Sequence, residues 1–466
     1  MCKNLQLHSR YNPQAEADRY IDSFDLNNNT LYFILIEPGF CYLTAPIKKK
    51  VPGAKIIALH AEELPQNTPQ GIINPDSRWA PGTGVPLKDF LEKEIPDCEA
   101  SRIQIIEWRP ALNIYGRKYL SLMEESVDFI KRADANTRTI KTFGLRWVRN
   151  FFRNLNLIRT VLMPKSLSIP IYIAGAGPSL EDQNIIMKAA PREEYYILSA
   201  SSAVMALREA GLTPDMIIAT DGTPWALLHL YEAFRPELNM PLAISMTASL
   251  PSECITLPLL PISDGSLWQS IILKELKIPF ITLPQRGTVT ATALDLAFTL
   301  TEGEVYICGM DLVNRDLLSH SRPYSFDLLL EKEERRLNPF YSQKYKRSTL
   351  LHSGGSYGIY TAWFKKQVEN YPKRLYSLGD NNPIFDSYRA GNKKPGKNLS
   401  MEKTVRFNTI KIKHDSKPSY IAIAILEKAL SNPKTGEILS NELFPLVLPD
   451  NNNRSVDDLL GALKRI

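Results

Sequence analysis

Several familiar signals are missing from this chain, and each absence excludes something. No apolar run reaches the roughly 20 residues that a membrane-spanning helix needs, so no membrane span is expected. The opening Met1-Cys2-Lys3-Asn4-Leu5-Gln6 has no apolar core of a secretory leader. The five cysteines (Cys2, Cys41, Cys98, Cys254 and Cys308) are odd in number and scattered, so they make neither a disulfide framework nor a zinc spacing. Together these absences predict a protein of a reducing cytoplasm. A formal net charge of +6 is mild for 466 residues and does not call for nucleic acid as a partner. Acidic residues do not cluster as a divalent ion on a diphosphate usually requires, so no metal site is expected.

A chain of 466 residues is too long for one ordinary core. Residues 1–165 read as an α/β domain ending in a helical linker. Leu31–Ile36, Ala54–Leu59 and Ile103–Trp108 read as its strands, and 117–162 is helical in period with Gly144 its only glycine. From Ser168 strands alternate with helices, with candidate strands at 171–174, 195–199, 216–220, 242–246, 280–283 and 304–308. That order predicts a Rossmann-like, mainly parallel sheet over 166–388, with ligands at the carboxyl ends of its strands. Residues 389–402 are rich in Asn, Lys, Gly and Pro and read as a linker. A small C-terminal module, strand-like at 404–412 and helical at 419–430, would complete 389–466.

Four strand ends carry the chemistry. Ile171-Tyr172-Ile173-Ala174 runs into Gly175-Ala176-Gly177-Pro178-Ser179, a turn whose amides and following helix start could hold a phosphate. A dinucleotide fingerprint would add a third glycine and an acidic end to the second strand. Here that strand ends Ser199-Ala200-Ser201-Ser202, which disfavours a nicotinamide cofactor. Asp221, in Thr220-Asp221-Gly222, is either a ligand or base, or a cap for the next helix. Gly287-Thr288 opens a helix that could face a ligand, and Asp311, in Gly309-Met310-Asp311, is either a direct ligand or a loop cap. Of the six histidines, His352 lies in a polar loop, Leu351-His352-Ser353-Gly354-Gly355, that suits a general base on a lid, with His320 as its competitor.

As an ordered set these segments resemble the motility-associated factor family, which transfers nonulosonic acids onto flagellin. His8-Ser9-Arg10-Tyr11-Asn12-Pro13, the Gly175–Leu180 turn, Thr220-Asp221-Gly222 and Gly309-Met310-Asp311-Leu312 carry that resemblance across most of 1–390. The central domain is also similar to a bacterial sialyltransferase family that uses CMP-sialic acid. The resemblance implies that Gly175, Ala176, Gly177, Pro178, Ser179, Ser199 and Ser201 meet the cytidine nucleotide, with Gly287, Thr288 and Asp311 nearby. It implies that Tyr324, in Tyr324-Ser325-Phe326-Asp327, binds phosphate and that His352 is the base. Where those enzymes have a second phosphate-binding tyrosine this chain has Val313, with Tyr341 and Tyr345 in the neighbourhood.

The implied activity is an inverting, metal-independent transfer of a nonulosonic acid such as pseudaminic or legionaminic acid. The sugar passes from a CMP donor to Ser or Thr of flagellin, without a permanently bound cofactor. The alternatives are a pterin pyrophosphokinase-like enzyme and a non-catalytic flagellin-binding protein.

Overall fold

The computed structural model describes residues 6–27, 30–63, 72–165, 169–231, 240–312, 320–343, 345, 356–371, 374–378, 407–413, 417–449 and 455–466. They form two compact units, Met1–Thr142 and Phe143–Ile466. A 39-residue helix, Arg117–Leu155, runs through the boundary, as the helical period of that stretch predicts.

The first unit is built on β1 (Tyr32–Ile36), β2 (Lys55–Leu59), β3 (Ser77–Trp79) and β4 (Ile103–Glu107). All pair in parallel, in the order β3-β2-β1-β4. β1 and β2 are buried along almost their whole length, which is why they read as unbroken apolar runs rather than alternating ones. At the start of the unit Asn12 caps the helix Pro13–Asp22 by accepting the Ala15 amide at 2.9 Å, with Pro13 at the position where its missing N–H costs nothing.

The second unit carries β5 (Thr160–Pro164), β6 (Ile171–Ala174), β7 (Tyr196–Ala200), β8 (Met216–Ala219), β9 (Leu242–Ser245), β10 (Pro258–Ser263), β11 (Ile281–Thr282), β12 (Val305–Cys308), β13 (Leu375–Ser377) and β14 (Phe407–Lys411). Its sheet runs β13-β12-β6-β7-β8-β9-β10-β5-β14, with β11 beside β10. Among the described residues of this sheet only β14 is antiparallel, paired with β5. The expected α/β, mainly parallel architecture is what the chain adopts. Ile173 sits opposite both Leu198 and Ile307 at the middle of the sheet. The helix Val289–Leu300 closes one face with Ala291, Ala293, Leu294, Ala297 and Leu300.

Two features differ from the sequence reading. The helical linker stops at Leu155, and Thr160–Pro164 is strand β5, where β-branched Thr160 and Val161 favour extended backbone. Residues after 406, expected as a separate small module, belong to the second unit. β14 extends its sheet, and the helices Pro418–Leu430, Gly436–Val447 and Val456–Leu463 share one core with Phe151, Leu242, Leu259 and Trp268. The expected linker at 389–402 lies outside the described residues.

Candidate active site

Strand order marks the edge at which open α/β sheets bind ligands. From β6 the chain steps outward through β7, β8, β9 and β10, then returns to place β12 on the other side of β6. The loops leaving β6 and β12 therefore part at the carboxyl edge, the topological switch point where open α/β sheets bind ligands. The glycine turn follows β6 and Gly309–Asp311 follows β12, so two of the four motifs meet there.

They meet closely. The Gly175 amide donates to the Cys308 carbonyl at 2.8 Å and the Gly177 amide to the Gly309 carbonyl at 2.6 Å. The Ser179 amide donates to Asp311 Oδ2 at 2.9 Å, at the start of the helix Leu180–Ala189. A Cβ on Gly175 or Gly177 would lie 2.6 Å from the Gly309 carbonyl oxygen. Gly309 itself has φ +62°, a region costly for other residues. Of the amides expected to face a phosphate, that of Gly175 is engaged by the end of β12 and those of Gly177 and Ser179 by the loop after it, and the two glycines admit the close approach of those backbones. Pro178 lies two residues ahead of the helix, and Ala176 accepts the Ser321 amide at 2.8 Å.

Gln183 completes this lock and was not foreseen. Its buried Oε1 accepts the Gly309 amide at 2.6 Å and the Ser179 hydroxyl at 3.3 Å. Its position one helical turn after Ser179 was the signal available in the sequence.

The remaining expected residues divide. Asp311 acts as the loop cap. Asp221 is exposed and closes its own turn, Oδ1 accepting the Thr223 amide at 2.7 Å and Oδ2 the Thr223 hydroxyl at 3.0 Å. Ser199 is fully buried and its hydroxyl donates to the Ala200 carbonyl at 2.9 Å. Ser201 is buried at the start of the next helical turn. Thr288 caps the helix Val289–Leu300 by accepting the Thr290 amide at 3.2 Å. The Thr290 hydroxyl lies 3.3 Å from where a Gly175 Cβ would be, which puts that helix start against the glycine turn. Gly287 has φ +75°, and its carbonyl accepts Tyr360 Oη at 3.0 Å. Tyr360 belongs to the helix Ser356–Asn370, so the segment following the His352 loop is tied to this helix start.

Tyr324 is buried among Ala176, Leu180 and Ala203, beside the glycine turn. His320 stacks on it at 4.0 Å and 8° between planes. His229 and Phe326 continue the aromatic cluster, and Phe326 reaches the exposed Trp225 at 6.3 Å. The loop is pinned to the glycine-turn helix by Arg322, whose guanidinium is 3.2 Å from Glu181. His352, Ser353 and Val313 lie outside the described residues.

The loops after β8 and β9 are held from below by the end of the long helix. Asn150 Nδ2 donates to the Gly222 and Thr247 carbonyls, both at 3.0 Å. Buried Asn154 donates to the Met246 and Ala248 carbonyls at 3.0 and 2.8 Å. Trp147 packs where a Gly222 Cβ would stand. An open groove lined by Leu430, Asn432, Gly436, Ser440, Phe444 and Val456 lies among the C-terminal helices and shares no residue with this edge.

Fold and site together define an open, mainly parallel α/β domain in which the loops after β6 and β12 meet at the carboxyl edge of the sheet. Over 93% of its length the chain is similar in structure to MAf glycosyltransferase from Magnetospirillum magneticum AMB-1, covering 73% of that chain at 12% identity and a TM-score of 0.53. A family model described as 6-hydroxymethylpterin diphosphokinase MptE-like matches residues 146–316. An uncharacterized protein of Treponema pallidum (strain Nichols) is 26% identical over 274 residues. That match spans 58% of this chain and 60% of the relative. Among the described residues no helix is long and apolar enough to cross a membrane.

Proposed function

We propose that this protein is a glycosyltransferase that moves a nonulosonic acid from a CMP donor to serine or threonine of flagellin. The observation that carries the reading is structural likeness to the MAf glycosyltransferase along nearly the whole chain, first unit included. The edge at β6 and β12 supports it, because strand order changes direction there, as where open α/β sheets bind ligands. A nucleotide there would lie against Gly309, Asp311, Thr290 and the Tyr324 loop.

In this reading the CMP phosphate leaves the anomeric carbon with inversion. That carbon is tertiary, so the path is oxocarbenium-like and stabilising the leaving group dominates. Because the Gly175, Gly177 and Ser179 amides are engaged, that stabilisation falls to Tyr324 and to the helix start at Gly287–Thr290. His352 takes the acceptor's proton, with His320, stacked on Tyr324, as the other candidate. Asp221 ranks third because both its oxygens already hold Thr223. A monophosphate leaving group needs no metal to neutralise a diphosphate. The protein acts in the cytoplasm, where CMP-sugars and unassembled flagellin meet.

The match to a pterin diphosphokinase-like family favours a second reading, pyrophosphoryl transfer from ATP with magnesium. One experiment separates them. Purified protein is incubated with flagellin and CMP-pseudaminic or CMP-legionaminic acid, and intact flagellin mass is recorded. A mass gain of one nonulosonic acid per site supports the transferase. No gain, with AMP released from ATP in the presence of 6-hydroxymethylpterin, supports the kinase.

A further inference from the structure

The loop after β8 presents a tryptophan to solvent. β8 is parallel to β7, and β7 to β6, so this loop leaves the same edge of the sheet as the glycine turn. Trp225 stands in it, in the single turn Pro224–Ala226 that precedes the helix Leu227–Leu230. Of the six tryptophans it is the exposed one, at 61%, the other five being buried or half-buried. An isolated apolar side chain on a surface needs no explanation, so its surroundings decide what it is for.

The backbone beneath the indole is held on every side. Asp221 binds the Thr223 amide and hydroxyl, and the Ala226 amide donates to the Thr223 carbonyl at 3.1 Å. The Ser249 amide donates to the Asp221 carbonyl at 2.9 Å, and Asn150 to the Gly222 carbonyl at 3.0 Å. After the turn, Ala226 and Leu230 are buried and anchor the short helix. Little conformational freedom is left to lose when a partner contacts the ring.

The ring is also the outer end of a series. Trp225 lies 6.3 Å from Phe326, and Phe326 lies 5.7 Å from Tyr324. His229, one helical turn after Trp225, meets Phe326 at 5.1 Å and Tyr324 at 5.3 Å. The series runs from exposed Trp225 through half-buried Phe326 to Tyr324, which is 6% exposed and packs beside Ala176 of the glycine turn. In the reading proposed above Tyr324 meets the donor phosphate. The rings then lead from the leaving group to the rim of the site.

What meets the outer ring follows from its exposure. Small ligands are enclosed over most of their surface, whereas a fixed and exposed indole suits a macromolecule arriving from solution, and tryptophan is prominent among residues that carry protein–protein binding energy. The surface it offers is apolar. Exposed Pro224 is its neighbour, and both oxygens of Asp221 are turned to Thr223. We propose that Trp225 is the acceptor-side contact of the transferase. Its indole packs on an apolar side chain of the acceptor polypeptide, close in sequence to the serine or threonine that receives the sugar. The inference rests on the transferase reading and adds to it the place where the acceptor docks.

The test uses the full chain with purified flagellin and CMP-pseudaminic or CMP-legionaminic acid. Initial rates of transfer are recorded against flagellin and against donor concentration. Release of CMP without flagellin reports transfer of the sugar to water. Trp225→Ala should raise KM for flagellin about ten-fold or more, the loss of one strong interface contact. Its kcat, its donor KM and its CMP release to water should stay within about two-fold of the parent. Trp225→Phe, which keeps an aromatic ring, should recover most of the loss, and both variants should unfold at the parent's temperature. The inference is overturned if Trp225→Ala keeps the parent's KM for flagellin. It is equally overturned if the loss falls on donor KM or on CMP release, which would put the indole on the sugar nucleotide. A parent that transfers no sugar and releases no CMP overturns the transferase reading and this inference together, so the parent alone tells the two failures apart.

Discussion

Asp311 accepts the Ser179 amide at 2.9 Å, so a carboxylate from the loop after β12 caps the helix that follows β6. The two loops that part at the switch point are thereby fastened to each other. Removing the cap leaves a helix N-terminus without its anion. Asp311→Ala should cost about 2 kcal/mol, the range of a hydrogen bond to a charged group. Urea unfolding at pH 7 measures it, and Asp311→Asn should recover about half.

Gly175→Ala probes the same contact sterically. A methyl group 2.6 Å from the Gly309 carbonyl oxygen forces the loops apart. The expected loss is about 2–3 kcal/mol, as for other overpacked sites. Thermal unfolding checks it, and Gly211→Ala, where nothing lies within 4 Å but φ is +74°, is the comparison for backbone strain alone.

Asn154→Ala strips two buried carbonyls, Met246 and Ala248, of their donor. About 2–3 kcal/mol should be lost. Asn150→Ala, at a half-buried position, should cost less stability but raise hydrogen exchange at the Gly222 and Thr247–Ser249 loops.

Glu442 should shape the acid limb of stability. Its carboxylate accepts the Leu267 and Trp268 amides at 2.9 and 3.0 Å, capping the helix Leu267–Glu275. Burial nevertheless raises its pKa above the ordinary value, with the Asp264 charge adding to the rise and the two amides opposing it. A raised carboxyl pKa means the folded state holds the proton more tightly. The contribution is favourable below the unfolded pKa and is lost as pH rises through the folded one. Glu442→Gln should flatten stability against pH just above the ordinary glutamate range, read from urea midpoints at closely spaced pH.

The catalytic assignment is separable from all of these. His352→Ala should lower flagellin transfer by a factor of roughly 100 or more with CMP affinity unchanged. His320→Ala, which removes the ring stacked on Tyr324, should weaken CMP binding and reduce transfer by less. The opposite pattern would exchange their roles.

Much of the framework was legible because buried parallel strands are short apolar runs bounded by small or polar residues. β6, β7, β8, β9 and β12 fall within a residue or so of their expected ranges. β10 escaped because Pro258 and Pro261 argue against an inner strand. The structure accommodates them where β10's outer neighbour changes from β5, at Pro258–Leu259, to β11, at Ile262–Ser263. The site was half legible. Glycines and aspartates at strand ends were visible in the sequence, and two of those motifs meet at one edge of the sheet. Their partners, Gln183, Thr290 and Asn150, come from helices, and only the fold brings them in. Whether a glycine serves a phosphate or a neighbouring backbone depends on Gly309, more than a hundred residues away from Gly175.

The central claim is that the carboxyl edge of the sheet at β6 and β12 binds a cytidine nucleotide. The most direct measurement is thermal stability with CMP, ATP plus magnesium, NAD and S-adenosylmethionine added separately. A ligand at 100 times its dissociation constant adds about 2.7 kcal/mol, a clear upward shift. Stabilisation by CMP, lost in Tyr324→Ala, is the predicted result. Stabilisation by ATP with magnesium, with none from CMP, would contradict it.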